Sequence, residues 1–135
     1  GFLATTILGR PHPFKALVAH AAVYNSFTQI GADYGAEKDR FFEFWEKPEE
    51  FAKYSPHTSA GNFNTPTLVI HGRADGLVRL SGGVATARAI PGAALEVHNL
   101  MGHDLPQPLW PALTDSIAAH ARRASRARSR DLTPA

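Results

Sequence analysis

The sequence predicts an α/β fold in which a parallel sheet is flanked by helices. Three observations carry that expectation. Short apolar runs at 14–19, 67–70 and 94–97 have the length of strands. The run Thr67-Leu-Val-Ile70 is continuous and dominated by β-branched residues, as a strand covered on both faces requires. Stretches with helical spacing alternate with these runs, and the connections are too long for hairpins, which favours parallel crossovers.

Each element has its own signal. At residues 2–9, Phe2, Leu3, Ile7 and Leu8 recur with helical spacing among small residues, and Pro11 and Pro13 stop the helix. The run Phe14 to Ala19, centred on Leu17 and Val18, reads as a buried strand that ends before a loop at Val23–Asn25. Gly31, Asp33 and Gly35 then break regularity, and an aromatic, acidic block runs from Phe41 through Trp45 and Phe51 to Tyr54. Within it, Pro48 followed by Glu49 and Glu50 predicts a helix start, with acids near the positive end of the dipole, and Ser55-Pro56 closes it. Asn62 to Pro66 leads into the strand at 67–70. Gly82 to Ile90 reads as a helix ended by Pro91-Gly92, and Ala94–Val97 as the next strand. A last helix is expected over Pro108–Ala121, with Leu109, Leu113 and Ile117 on its apolar face.

A chain of 135 residues holds one domain of modest core. With 44% hydrophobic and 19% charged residues it has an ordinary globular composition, and without cysteine it has neither a disulfide framework nor a thiolate zinc site. No apolar stretch approaches the roughly 18 residues of a membrane span. The expectation is a soluble protein, cytoplasmic or exported, with no membrane partner. The opening Gly1 to Gly9 lacks an initiator Met and a basic leader, and reads as the middle of a longer chain. Near the other end, Arg122, Arg123, Arg126, Arg128 and Arg130 stand against Asp131. No aromatic residue is interleaved to stack on bases, so 123–135 is expected to be a basic, disordered tail rather than a nucleic-acid surface.

The chemistry-bearing residues sit in two loops. Asp75 follows the strand ending near His71, and His103 follows the strand ending near His98, both at carboxyl ends of strands, where open parallel sheets gather functional groups. Gly72 and Gly102 are expected to let the chain turn sharply there. A neutral imidazole can take a proton from a nucleophile while a carboxylate on its other nitrogen fixes the tautomer. Asp104 competes for the acid's place, but neighbours in a turn usually point apart, which favours Asp75. None of Ser26, Ser55, Ser59, Ser81 and Ser116 lies in a strand-then-turn context that would make it a nucleophile. His71, His98 and His103 could share one sheet edge, yet nothing in their spacing demands a metal, and no cofactor is expected.

The stretch H-G-R-A-D-G-L-V (71–78) resembles the acid loop of serine hydrolases of the α/β-hydrolase superfamily, and I-P-G-A-A-L-E-V-H-N-L-M-G-H-D-L-P (90–106) resembles the histidine loop of its esterase-type members. Upstream, F-K-A-L-V-A-H-A-A-V-Y-N (14–25), F-F-E-F-W-E-K-P-E-E-F-A-K-Y-S-P-H (41–57) and N-F-N-T-P-T-L-V-I-H-G (62–72) resemble the catalytic domain of prolyl-oligopeptidase-type peptidases, especially the dipeptidyl and acylaminoacyl-peptidase branch. The resemblance covers residues 1 to about 122 and implies the C-terminal part of an α/β-hydrolase fold. It makes Asp75 the triad acid and His103 the triad base, in the family's chain order. Gly1-Phe2-Leu3 would end the motif G-x-S-x-G-G-[FY]-[LM], so that the nucleophile and the oxyanion hole lie ahead of Gly1. Tyr24, Trp45 and Val78 would wall a pocket for an apolar side chain.

There are departures from the family pattern. Leu77 stands where many of these peptidases carry an Arg or Asn that bonds substrate, and Arg79 stands where Pro is common. The implied activity is hydrolysis of a peptide bond near an N-terminus. A carboxylesterase acting on a small acyl substrate is the alternative, and a non-catalytic fragment or binding module is the reading from another class. A sheet cut before its central strands would leave Leu17, Val18, Val69 and Ile70 short of neighbours, which predicts an oligomer through the exposed sheet edge, or dependence on a partner.

Overall fold

The computed structural model of the chain describes residues 1–29 and 46–131. Its elements are α1 (Phe2–Leu8), β1 (Leu17–His20), α2 (Pro48–Lys53), β2 (Thr67–Gly72), α3 (Leu80–Ala89), β3 (Ala94–His98) and α4 (Trp110–Asp131), with 3-10 turns at Ser26–Gln29, Pro56–Asn62 and Gln107–Leu109. Among the described residues the strands form one sheet in the order β1-β2-β3. Both pairings are parallel, with Leu17 opposite Thr67 and Leu68 opposite Ala94. The α/β class with a parallel sheet flanked by helices is therefore the observed one.

Alternation along β2 divides the core between the two faces of the sheet. On one face Val69 packs with Leu8, Phe63 and Ile90, and Leu17 and Tyr24 close around them. On the other, Leu68 and Ile70 pack with Met101 and Leu113 of α4, with Val18 and Leu109 beside them. Fully burying such a side chain contributes about 1.5–3 kcal/mol. All six residues of β2 are buried: β1 and β3 flank its edges, and these two clusters cover its faces. This corrects the expectation for Val69 and Ile70, which keep their neighbours, while Leu17 and Val18 on β1 are only half-buried.

α4 differs from its expected form in two ways. It continues to Asp131, well past Ala121, so the basic stretch 123–131 is helical rather than a disordered tail. The cause is local: Ala and Arg are strong helix formers, and no Gly or Pro interrupts them before Pro134. Its buried stripe runs through Leu113, His120 and Ala124, whereas Ile117 is 40% exposed. At about 100° per residue, Ile117 lies about 40° round the helix from Leu113, while positions 120 and 124 stay within about 20° of it.

The 3-10 turn Pro56–Asn62 has no counterpart in the sequence reading. The aromatic residues at 41–45, Trp45 among them, lie outside the described residues. Of the remainder of that block, Phe51 is buried and meets Phe27 edge to face, with ring centroids 4.9 Å apart, so it packs α2 onto the body of the fold. No helix among the described residues is long and apolar enough to cross a membrane.

Candidate active site

The parallel register brings the carboxyl ends of all three strands to one edge. There β2 and β3 hand over to two loops that are stitched to each other. The Arg73 N–H donates to the His98 carbonyl (2.9 Å) and the Ala74 N–H to the Met101 carbonyl (3.1 Å). The Arg73 guanidinium adds a bond to Asn99 Oδ1 at 2.8 Å.

This stitching requires Gly72 for a reason different from the expected one. Neither Gly72 nor Gly102 adopts a positive φ; among the described glycines only Gly92 does. Gly72 is needed because a Cβ there would come closer than 3.0 Å to the carbonyl oxygens of Met101 and Gly102. Gly102 has ordinary space around it. Close approach of two loops, not turn geometry, sets the residue at position 72.

Within the joined loops Asp75 and His103 meet. His103 Nδ1 lies 2.9 Å from Asp75 Oδ2 and donates its proton to the carboxylate. Asp75 is tied from its other oxygen by the N–H groups of Leu77 (2.9 Å) and Val78 (2.8 Å). The Asp75 side chain is fully buried, while that of His103 is 42% exposed. With the Nδ1 proton engaged, Nε2 is the acceptor of this partly exposed ring, the arrangement in which an imidazole can remove a proton from an approaching nucleophile. Asp104 is exposed and takes no part in the pair.

Burial alone would push the Asp75 carboxyl up. The hydrogen bonds from Val78, His103 and Leu77 outweigh it and hold the group below its usual range. The sign follows: a lowered carboxyl contributes stability above its unfolded value, and that contribution is lost as acid takes the pH through the folded value. The unfolding free energy of the parent minus that of Asp75→Asn should be flat from about pH 7 to about pH 5, and should shrink below about pH 4. Urea titrations across that range measure it.

Two features of this edge were not read from the sequence. His20, the last residue of β1, sets its ring 6.2 Å from that of His103. Its Nε2 is buried without a partner among the described residues, and burial lowers its pKa. The signal was present, since His20 ends a strand at the same edge as Asp75 and His103. Next to it, Ala21 takes φ 43°, a left-handed conformation that turns the chain out of β1 towards a cavity.

That cavity, of about 470 Å³, is lined by Tyr24 and Val78, together with Asn25, Leu77, Arg79 and Ser81 among others. Tyr24 and Val78, two of the three residues expected at a pocket, both line this cavity. The third, Trp45, lies outside the described residues. Tyr24 also serves the core, meeting Phe63 and His57 edge to face.

The remaining histidines have separate partners. His98 bonds Glu96 at 2.6 Å, His57 bonds Ser55 at 2.6 Å, and His71 bonds the Val78 carbonyl at 2.8 Å. Ser55 is buried and accepts from the Ser26 N–H, so its pairing with His57 braces a turn. Ser59 packs against Gly9, at the C-terminal end of α1, and Ser81 lies in the first turn of α3. Among the described residues, the side-chain hydrogen bond of His103 goes to Asp75 and no serine shares it.

The acylaminoacyl peptidase of Pyrococcus horikoshii superimposes with a TM-score of 0.67 at 19% identity, over 76% of this chain and 18% of that one. A puromycin hydrolase gives 0.66 at 18% identity, over 77% of this chain and 17% of the other. The acetyl xylan esterase from Paenibacillus sp. R4 gives 0.66 at 15% identity, over 87% and 42%. At these identities the likeness concerns the fold, and the chain spans less than half the length of each protein. Comparison with curated protein sequences finds no match. The family model of the prolyl oligopeptidase family matches residues 1–103, which takes in both Asp75 and His103. The chain thus belongs to the prolyl oligopeptidase family of serine hydrolases, built on the α/β-hydrolase fold.

Proposed function

We propose that this chain forms the C-terminal portion of a serine peptidase's catalytic domain, with Asp75 as triad acid and His103 as triad base. The observation that carries the reading is the 2.9 Å bond from His103 Nδ1 to a buried Asp75, on a ring that stays 42% exposed. The nucleophile is a serine in sequence joined ahead of Gly1. Gly1 is packed so closely against the end of β1 that a Cβ there would come within 3.0 Å of the His20 carbonyl oxygen and of Ala22. A segment joined there enters beside His20, the neighbour of His103.

In the reaction, Nε2 of His103 takes the serine proton as the serine oxygen attacks the substrate carbonyl. Asp75 stabilises the imidazolium, which then protonates the leaving amine. Water, activated by the same nitrogen, cleaves the acyl-enzyme. The cavity lined by Tyr24 and Val78 takes the side chain on the acyl side of the bond. The preferred substrates are peptides cleaved near a free or acylated N-terminus.

A carboxylesterase is the second reading. Leu77 supports it, because its side chain offers no donor to a substrate backbone carbonyl. The test is a substrate panel on protein in which the chain continues ahead of Gly1. The peptidase reading expects kcat/KM for aminoacyl and N-acyl-aminoacyl arylamides with apolar residues to exceed that for short-chain nitrophenyl esters, relative to their uncatalysed rates. The reverse order establishes the esterase, and no turnover of either class leaves the binding-module reading.

A further inference from the structure

His71 is buried beneath the active-site loop, and the mechanism above does not use it. It belongs to β2, the strand covered on both edges, and its side chain is fully buried. Nε2 lies 2.8 Å from the Val78 carbonyl oxygen, so that nitrogen carries the proton and donates it. Nδ1 is buried and has no partner among the described residues. It faces Gly83 of α3 across a gap so narrow that a Cβ there would come closer than 3.0 Å to the ring. A proton on Nδ1 would be a buried donor without an acceptor, on a ring bearing a buried charge. The stable form is therefore the neutral tautomer with its proton on Nε2.

Val78 is held at both ends. Its carbonyl accepts from His71, and its N–H donates to Asp75 Oδ1 at 2.8 Å. The Leu77 N–H reaches the same oxygen, which leaves Oδ2 for His103. The separation from His71 Nε2 to Asp75 Oδ2, 3.7 Å, is too long for a hydrogen bond, so His71 reaches the carboxylate through the Val78 peptide and not directly.

We propose that His71 is a positioning residue for Asp75: a neutral strut that spans from the rigid centre of the sheet to Val78 and closes the 72–78 loop, so that two backbone N–H groups fix one carboxylate oxygen and aim the other at His103. Gly83 is the counterpart that makes room for the ring. The catalytic meaning of this role rests on the reading of Asp75 as triad acid. The structural claim needs only the 135-residue chain and no turnover, so its failure is distinguishable from failure of that reading.

The test compares His71→Gln with His71→Met. The two side chains are nearly isosteric, but only Gln retains a neutral N–H donor. In the isotopically labelled chain, NMR reads the Asp75 carboxyl titration and the exchange of the Leu77 and Val78 amides. His71→Met should raise the Asp75 midpoint by about one pH unit, and speed exchange of both amides by about tenfold or more. His71→Gln should keep both at their parent values. A folded Met variant with parent-like titration and protection overturns the proposal, and so does a folded Gln variant that loses them. If neither variant folds, the ring nitrogens of the parent decide the matter: a proton on Nε2 supports the strut, and one on Nδ1 rules it out.

Discussion

Asp75→Asn is expected to lower kcat of the nucleophile-bearing protein by about 10⁴-fold while KM changes little. The substitution keeps the side chain's shape, and its amide oxygen can still accept from the Leu77 and Val78 N–H groups. What remains facing His103 Nδ1 is then an amide N–H₂, a donor set against a donor. The imidazole escapes the clash by moving its proton to Nε2, and in that tautomer it cannot act as the base. The cavity lined by Tyr24 and Val78 is untouched, so ground-state binding survives. His103→Ala removes the base outright and should lose as much or more. Steady-state kinetics on both variants check this. A large rise in KM at unchanged kcat would assign the pair to binding instead.

Gly72→Ala is expected to give the largest loss of stability of any small substitution near the site, about 3 kcal/mol. The new methyl group would collide with the carbonyl oxygens of Met101 and Gly102, which are backbone atoms and cannot rotate away. Relief requires β2 and the loop after β3 to part, which breaks the bonds from Arg73 to His98 and from Ala74 to Met101. Since those bonds hold Asp75 against His103, the variant should lose the pairing as well as stability. Gly76→Ala is the control: no atom lies within 4 Å of the added Cβ, and the expected change is within about 0.5 kcal/mol. Urea unfolding of the two variants distinguishes a steric requirement at position 72 from a general cost of replacing loop glycines.

Where one physical signal dominates, the sequence is readable. Thr67 to Ile70 announces a buried strand because only a strand covered on both faces tolerates so continuous an apolar run, and Pro48 with Glu49 and Glu50 marks the start of α2. Asp75 and His103 were legible as a pair because each follows a strand, and parallel strands deliver their ends to one edge. The roles of Gly72 and His71 were not. Both depend on what approaches from another element, the Met101 and Gly102 carbonyls in one case and α3 with Val78 in the other, and no local pattern records such contacts. The reach of α4 is obscured for a different reason: a run of arginines signals charge first, while its helix propensity and freedom from Gly and Pro decide its form. Ile117 shows the limit of counting by fours, since the buried line on that helix follows Leu113, His120 and Ala124.

The central claim is that His103, oriented by Asp75, serves a serine that lies ahead of Gly1. A fluorophosphonate probe, with the modified residue located by peptide mass spectrometry, tests it most directly. In protein that continues ahead of Gly1, the account predicts one adduct, on a serine within a Gly-x-Ser-x-Gly motif that leads into Gly1-Phe2-Leu3. It also predicts that Asp75→Asn sharply slows the labelling, and that the 135-residue chain alone stays unlabelled. Stoichiometric labelling of Ser59, Ser81 or any other serine within the 135 residues would contradict it.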